Sequence, residues 1–210
     1  MEHIFFMPYI GKNYYSGGIF GKRILILGES HYCDELCADC GMPCHKAECG
    51  NFTTNVMQRF LYRNSNYERW MSTFTKFERS LVNQFTDEEQ RKEIWDSVLF
   101  YNYLQVAMTE AREKGNDEDY VRAGTAFFEV LDTYRPEYII VWGYRLWNYL
   151  PGGKRWAWNE DLIVEGEPIK NGSYLLADNT HVKTIAVKHP STGYTWDYWY
   201  RIINAFIANN

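Results

Sequence analysis

The chain has 210 residues, of which 46% are hydrophobic and 18% are aromatic. This composition suits one α/β domain with a sizeable core and argues against an intrinsically disordered chain. The 22 Lys and Arg residues against 27 Asp and Glu residues give a net charge of −5. The overall basic surface typical of proteins that bind duplex DNA is therefore not expected. The longest apolar runs are only as long as a strand, so we expect no membrane span. The N-terminus lacks a signal-peptide pattern, so we expect a cytoplasmic protein, and its cysteines are then expected to be thiols.

Four apolar, β-branched runs predict strands that are buried on both faces of a parallel sheet. They cover residues 24–28, 97–101, 138–142 and 184–187. Helices are expected between the strands, which predicts an α/β fold with helices on both faces of the sheet. In chain order, the first expected helix begins at Thr53–Thr54, the second covers about 72–83 and the third opens with a capping box of Thr86 and Glu89. The fourth runs from Asp117 to Arg135–Pro136, the fifth covers 145–150 and the sixth covers 195–208. Residues 154–182 are expected to form an irregular or hairpin excursion.

Polar residues follow the first strand in the run Gly28-Glu29-Ser30-His31-Tyr32. Ligands of open α/β sheets bind outside the carboxyl ends of the strands, so this turn is a candidate site. Gly28 allows a sharp turn and a close approach of a ligand to the backbone. Glu29 can act as a general base or position a water, and His31 can donate, relay a proton or bind a metal. The alternative is a polar turn that simply closes a strand.

The other three strands also end in candidate residues. Asn102 carries an amide that can donate and accept together, which suits recognition of a heterocycle edge, although an Asn after a strand is often a turn residue. Trp142 is expected in the pocket wall. Pro190 restricts the backbone beside His189 and so fixes its orientation. We expect Glu29, Asn102 and His189 to line one pocket, with aromatic rings from Tyr32, Tyr101 or Trp142.

The motifs GESHY, VLFYNYL, PEYIIVWGYRLW and VKHPS occur in that order over about residues 23–200. Together they resemble the uracil-DNA glycosylase superfamily. The resemblance implies a three-layer α/β/α sandwich with a mostly parallel four-stranded sheet, as one domain over 1–210 with a cysteine-rich loop at 33–49. Members of this superfamily act in DNA repair: they bind DNA, flip a damaged base into a pocket and hydrolyse its N-glycosidic bond. The resemblance thus implies a hydrolase that acts on uracil or another damaged base.

The resemblance also implies roles for individual residues. The family's acid corresponds to Glu29 in one alignment of the first motif and to Ser30 in another, and we take Glu29 as the candidate. Asn102 matches the uracil-recognising Asn, and His189 matches the histidine that bonds the base carbonyl and stabilises the departing anion. His31 stands where the family has Pro. The candidate substrate-binding residues are Ser30, His31, Tyr32, Tyr101, Asn102, Trp142, Ser191 and Tyr194.

The segment after His189-Pro190-Ser191 departs from the family pattern. The family usually has a loop here that wedges into DNA, whereas this chain carries Tyr194 and Trp196. These rings are either the wedge or part of the packing.

Five cysteines fall between residues 33 and 49, and two of them form the C-x2-C-G pattern of a metal knuckle. Thiolate-rich tetrahedral sites favour zinc or an iron–sulfur cluster, and the close spacing favours structural zinc. Free or oxidised thiols are the remaining alternative. The predicted ligands are Cys37, Cys40, Cys44 and Cys49, with Cys33, His31 and His45 as substitutes.

Three functional hypotheses follow from the sequence. The first is a glycosylase-like hydrolase of nucleic-acid bases or nucleosides. The second is a binding module on the same fold that recognises a nucleotide or nucleic acid without chemistry. The third is a zinc-assisted hydrolase that uses the same crevice. In the first two, the expected partner is a single-stranded nucleic acid, a flipped base or a nucleotide, and in none of the three is it a membrane.

Overall fold

A computed structural model of the protein describes residues 2–33, 47–63, 66–110, 113–191 and 193–208. Most of the strands in these ranges join one sheet. In chain order the strands are β1 (Tyr9–Ile10), β2 (Ile24–Gly28), β3 (Val98–Asn102), β4 (Tyr138–Trp142), β5 (Trp156–Trp158), β6 (Leu162–Val164), β7 (Glu167–Ile169), β8 (Asn171–Leu175) and β9 (His181–Val187).

The main sheet has seven strands in the order β1-β3-β2-β4-β9-β8-β5, and β6 and β7 form a separate hairpin. The four central strands, β3, β2, β4 and β9, are parallel, which confirms the four predicted strands and their shared sheet. The expected four-stranded sheet is extended, however, because β1, β8 and β5 add to its edges in antiparallel pairing. The segment expected as an irregular or hairpin excursion therefore supplies two strands to the main sheet as well as a hairpin.

Helices lie on both faces of this sheet, and no helix in the described ranges is long and apolar enough to cross a membrane. The helices are α1 (Phe52–Leu61), α2 (Met71–Val82), α3 (Glu88–Asp96), α4 (Asp117–Tyr134), α5 (Tyr144–Tyr149) and α6 (Trp196–Ala208).

Alternate residues of each central strand enter two separate hydrophobic cores. Leu25 and Leu27 of β2 pack with α4 and α5 on one face. Ile24 and Ile26 pack with α1, α2, α3 and α6 on the other face. Because both faces are covered by apolar side chains, the polar residues of the central strands collect at the strand ends, where the sheet meets solvent.

Two helix caps lie one residue away from their predicted positions. In α3 the capping box joins Asp87 and Gln90. Thr86, expected as the cap, instead donates its hydroxyl to Glu78. In α4 the cap is Asn116 rather than the expected Asp117, because the Asn116 side chain accepts the third backbone N–H of the helix at 2.9 Å. In both places the side-chain oxygen of an Asp or Asn accepts a free N–H group of the first turn.

Candidate functional site at the carboxyl ends of the parallel strands

The turn after β2 is held in place by backbone hydrogen bonds from the segment after β3. The N–H of Leu104 donates to the carbonyl of Glu29 at 2.9 Å, and the N–H of Met108 donates to the carbonyl of His31 at 2.8 Å. These bonds continue the pairing of two adjacent parallel strands past their ends. Glu29 and His31 therefore sit on a fixed backbone, as a functional site requires.

The carboxylate of Glu29 is held by two neighbours, Tyr120 of α4 and Arg145 of α5. The Nε of Arg145 lies 2.8 Å and 2.9 Å from its two oxygens, and Nη2 lies 2.5 Å from Oε2. Tyr120 donates its hydroxyl to Oε1 and stacks on Tyr149 with ring centroids 3.9 Å apart. Burial, followed by this hydrogen bond to the carboxylate, raises the pKa of Tyr120, and the hydrogen bond to Glu29 raises the pKa of Arg145. The cluster is therefore a carboxylate, a guanidinium and a neutral phenol at one edge of the sheet.

His189 follows β9 and lies near the same cluster. Solvent reaches this residue, yet enough protein surrounds its ring that desolvation lowers its pKa below the ordinary value of 6.5. The charge of Glu29 opposes this shift and that of Arg145 adds to it, which places both groups within electrostatic reach of the imidazole. The ring also packs edge-on against Trp142, with centroids 6.3 Å apart. His189 is therefore mainly neutral near pH 7.

Gly143 makes room for His189 at the end of β4. Its φ is +98°, a conformation that side chains rarely adopt, and a Cβ added there would lie 3.3 Å from the Cβ of His189. The N–H of Gly143 donates to the carbonyl of Val187 at 2.9 Å, which ties the ends of β4 and β9 together. A glycine is required here both for the backbone conformation and for the close approach.

A buried hydrogen-bonded chain joins β3, the turn after β2 and α1. The Nδ2 of Asn102 lies 3.1 Å from Nδ1 of His31, and the Nε2 of His31 lies 3.0 Å from the hydroxyl of Thr53. The imidazole is 3% exposed and lies between the rings of Phe6 and Phe52, at centroid distances of 4.9 Å and 4.6 Å. This burial lowers the pKa of His31 to about 3. The side chain is thus a neutral, fully enclosed part of the scaffold.

Two polar atoms beside the crevice are buried without a partner among the described residues. They are the hydroxyl of Ser30 and the indole Nε1 of Trp142. A buried polar atom without a hydrogen bond to the protein is uncommon, and a bound ligand or an ordered water often serves as its partner. Ser30 lies in the turn that carries Glu29, and Trp142 ends β4 and packs against His189.

The structure brings together only part of the predicted site. Glu29 interacts electrostatically with His189, whose ring packs on Trp142, and Ser30 follows Glu29 in the chain. Tyr32 ends the run that carries Glu29 and Ser30, and 42% of its surface is exposed. Ser191 is exposed, and its N–H donates to the carbonyl of His189 at 2.7 Å.

Four predicted substrate contacts take other positions. His31 lies beneath the site, with both ring nitrogens engaged, and Asn102 is its partner rather than a free group in the crevice. Tyr101 is completely buried on the α4 face, where its hydroxyl accepts a hydrogen bond from Gln105 at 2.6 Å. Tyr194 is buried as well, so the structure supports packing and not a wedge for this ring. The alternation of β3 explains Tyr101, because neighbouring residues of a strand point to opposite faces.

Three of the four predicted zinc ligands, Cys37, Cys40 and Cys44, lie outside the described residues, as does His45. Cys33 and Cys49 are half-buried against one small cluster around Phe6 and Ala107. In the described ranges, no group of three or more His, Cys, Asp or Glu residues is arranged to hold a metal. His31 is not available as a substitute ligand, because Thr53 and Asn102 engage its ring nitrogens. Zinc and the zinc-assisted mechanism remain predictions.

Sequence reasoning missed the roles of Arg145 and Tyr120. Neither residue is among the candidate site residues that the sequence predicts. Arg145 did carry a signal, because a cation directly after a buried parallel strand falls at the ligand-binding edge of the sheet. Tyr120 carried none, since its contact with Glu29 depends on how α4 crosses the sheet.

Two surface depressions lie elsewhere. One lies between the β6–β7 hairpin and α6, where Glu165 pairs with Arg201 at 3.3 Å. The other lies between residues 19–22 and the end of α6, near the amino ends of the parallel strands, and is mostly apolar. The perturbed imidazoles and the doubly held carboxylate lie at the carboxyl ends, so we place the candidate site there.

No protein-family model matches the chain, and a search of curated proteins finds no match either.

Proposed function

We propose that the protein is a uracil-DNA glycosylase-like hydrolase that binds a nucleobase at the carboxyl ends of β2, β4 and β9 and cleaves its N-glycosidic bond. The observation that carries the proposal is that Glu29, after β2, and His189, after β9, lie within electrostatic reach of each other at the carboxyl ends of the parallel strands. Their electrostatic interaction is strong enough to affect the pKa of His189. A carboxylate and a neutral imidazole are the two groups needed to offset positive charge on a sugar and negative charge on a departing base.

The fold is consistent with this proposal. Four parallel strands carry the four motifs that resemble the superfamily, and each motif lies at or beside a carboxyl end. Helices cover both faces of the sheet, as an α/β/α sandwich requires. This arrangement brings Glu29, Trp142 and His189 into one neighbourhood.

Each group has a defined task in the proposed reaction. The bond from C1′ to the base nitrogen breaks and its electron pair leaves with the base. The neutral ring of His189 donates a hydrogen bond to a base oxygen and stabilises that negative charge. Glu29 faces the sugar, where its carboxylate offsets the developing positive charge and orients water. The water oxygen bonds to C1′, and its proton ends on the released base.

The substrate is proposed to be a base in a single strand or a base flipped out of a duplex. A base within a stack cannot reach a crevice at a strand end, so it must be extruded or already unpaired. The buried hydroxyl of Ser30 and the indole N–H of Trp142 are the polar atoms that a bound nucleotide can satisfy.

Base release from oligonucleotides tests the proposal. Single- and double-stranded substrates carrying uracil or a damaged base are incubated with the protein, and the free base and the abasic site are measured. We expect release by the unmodified protein and a loss of about 10²–10³-fold in His189→Ala and in Glu29→Ala. His181→Ala is a matched control, because this exposed histidine lies at the other end of β9. Glu167→Gln, in β7, is the control for the carboxylate.

The second candidate is a binding module without catalysis, and one contact favours it. Both oxygens of Glu29 are engaged by Arg145, and one also by Tyr120. A carboxylate held in this way orients water only if Arg145 rearranges or shares it. Binding of a single-stranded oligonucleotide without release of any base would favour this candidate over the hydrolase.

A further inference from the structure

The outer edge of the strand β5 is open in the described part of the chain, where no strand lies beyond it in the sheet. Asn159, directly after β5, donates its N–H to the carbonyl of Asn171 in β8 at 3.1 Å. Hydrogen-bonded positions alternate along an antiparallel strand, so Ala157 also directs its backbone groups towards β8. The backbone groups of Trp156 and Trp158 therefore point away from β8, towards the free edge.

The free edge of β5 can accept another strand. The N–H of Trp156 donates to the carbonyl of Gly153 in the preceding turn, so the carbonyl of Trp156 and both backbone groups of Trp158 face the edge. An edge strand pairs readily with another chain unless charges, a proline or a covering segment protect it. The sequence of β5 is Trp-Ala-Trp, which contains neither a charge nor a proline.

The tryptophans of β5 form a fixed aromatic surface beside this edge. Trp156, Trp158 and Trp147 of α5 contact one another with ring centroids 5.3–5.8 Å apart. The ring of Trp156 lies directly over Gly172, where an added Cβ would overlap it. Trp158 is nevertheless 61% exposed. A ring whose position is already fixed loses little conformational entropy when a partner covers it.

The residues around β5 are complementary to a second copy of the same segment. Lys154 and Glu160 are both exposed, and each lies three residues from Ala157 at the centre of β5. When two copies of β5 run antiparallel about a two-fold axis at Ala157, Lys154 of each copy lies opposite Glu160 of the other. The same register sets Trp156 opposite Trp158, so the outward-facing backbone groups of the two copies meet.

We propose that β5 is a dimerisation edge that pairs antiparallel with β5 of a second copy of this chain. The N–H of Trp158 in each copy donates to the carbonyl of Trp156 in the other, as a two-fold, self-complementary interface requires. The strands are short, so the interface is smaller than that of an obligate dimer, and the dissociation constant should lie between about 1 µM and 1 mM. This inference does not depend on the proposed hydrolase activity.

Sedimentation equilibrium of charge-reversal variants tests the partner and the register. The unmodified protein should dimerise reversibly, and Lys154→Glu or Glu160→Lys should weaken the dimer at least about tenfold, because each change places like charges opposite each other twice. The double variant restores opposite charges and should restore the dimer. Glu93→Lys is the matched control, because this exposed carboxylate lies on α3, which packs beside β3 near the other edge of the sheet.

Two substitutions of Trp158 separate the backbone pairing from the contact of the rings. Trp158→Val and Trp158→Pro both lose the ring, but only proline removes the outward N–H, and it leaves the bonds to β8 in place. The proline variant should associate at least about tenfold more weakly than the valine variant, because two symmetric hydrogen bonds are lost. Thermal unfolding confirms that each variant is folded.

Three results would overturn the proposal. The first is an unmodified protein that stays monomeric up to about 1 mM. The second is a dimer that the single reversals leave unchanged or that the double variant does not restore. The third is equal association of Trp158→Val and Trp158→Pro, because the strands would then not pair through their backbones.

Discussion

Arg145 and Glu29 form a two-pronged ion pair between α5 and the turn after β2. Three donor–acceptor distances between 2.5 Å and 2.9 Å connect the guanidinium to both carboxylate oxygens. The side chain of Glu29 is 10% exposed and that of Arg145 is 40% exposed, so the carboxylate is nearly enclosed while its partner borders solvent. This pair sets the direction in which the candidate catalytic carboxylate points.

Arg145→Lys should affect the site much more than the stability of the fold. A lysine ammonium cannot hold both oxygens at once, so Glu29 loses its fixed orientation and base release should fall about 10- to 100-fold. The unfolding free energy should change by no more than about 1 kcal/mol, because the pair borders solvent. Denaturant titration and the base-release assay measure the two effects. Arg201→Lys, at the exposed pair with Glu165, is the control, and a large loss of stability in Arg145→Lys would contradict this view.

Gly28→Ala should destabilise the protein and disturb Asn102. A Cβ at this position would overlap Oδ1 of Asn102 and lie 3.4 Å from the ring of Phe100. Overpacking of this kind costs about 1–3 kcal/mol of unfolding free energy. Gly152→Ala is the matched control, because nothing lies within 4 Å of its added Cβ. Equal stability of the two variants in urea would show that the strand end is less tightly packed than the structure indicates.

Glu78 should make stability depend on pH in the mildly acidic range. Its side chain is completely buried in α2, and this burial raises its pKa above the usual 4.5, although Arg91 and the indole N–H of Trp95 act in the opposite direction. Below 4.5 the carboxyl is protonated in both the folded and the unfolded chain. As the pH rises above 4.5, Glu78 ionises in the unfolded chain before it ionises in the folded protein. The stability that this carboxyl contributes therefore decreases progressively, and the decrease ends when the pH passes the raised pKa of the folded state.

The difference in unfolding free energy between the unmodified protein and Glu78→Gln isolates this effect. We expect the difference to shift against the unmodified protein as the pH rises from about 4 towards neutrality, with a limiting slope of about 1.4 kcal/mol per pH unit. Glu160→Gln, which removes an exposed carboxylate, should give a flat difference curve. A flat curve for Glu78→Gln as well would mean that the carboxyl has its ordinary pKa in the folded protein.

Tyr194→Phe should reduce stability without affecting nucleic-acid binding. The hydroxyl of Tyr194 lies 2.8 Å from that of Ser80, and its ring stacks on Trp199. Loss of one buried hydrogen bond costs about 0.5–1.5 kcal/mol. Tyr198→Phe, on the exposed side of α6, is the control for stability. Weaker DNA binding by folded Tyr194→Phe would restore the wedge interpretation.

Protein purified without chelator should contain equimolar zinc bound by Cys37, Cys40, Cys44 and Cys49. Thiolates in this spacing hold a tetrahedral ion, and the ion supplies folding energy to a loop too polar to bury itself. Elemental analysis of the unmodified protein and of Cys40→Ser measures the metal, and the variant should lose it. Disulfides among these cysteines in a reduced sample, or iron in place of zinc, would contradict the assignment.

The central strands could be predicted from the sequence because each contains a short, mostly apolar run rich in β-branched or aromatic residues, which is typical of a strand buried on both faces. The edge strands could not. The β8 and β5 segments contain Gly, Ser and Asn residues and an exposed Trp. They form strands only because β8 pairs with the free edge of β9, and β5 pairs with the free edge of β8. Pairing of this kind is a property of neighbours in space, and it is not encoded in the local pattern of the segment.

The candidate site divides in the same way. The sequence by itself determined that Glu29, Asn102 and His189 lie at strand ends, because strand direction and the parallel sheet follow from local composition. Only the tertiary structure decided their partners: Arg145 is 116 residues from Glu29, and Asn102 is 71 residues from His31. Such contacts depend on how helices cross the sheet and on which face each residue of a strand points to. Local propensity carries no information about how a helix crosses the sheet. A shift of one residue in a strand turns each side chain to the opposite face.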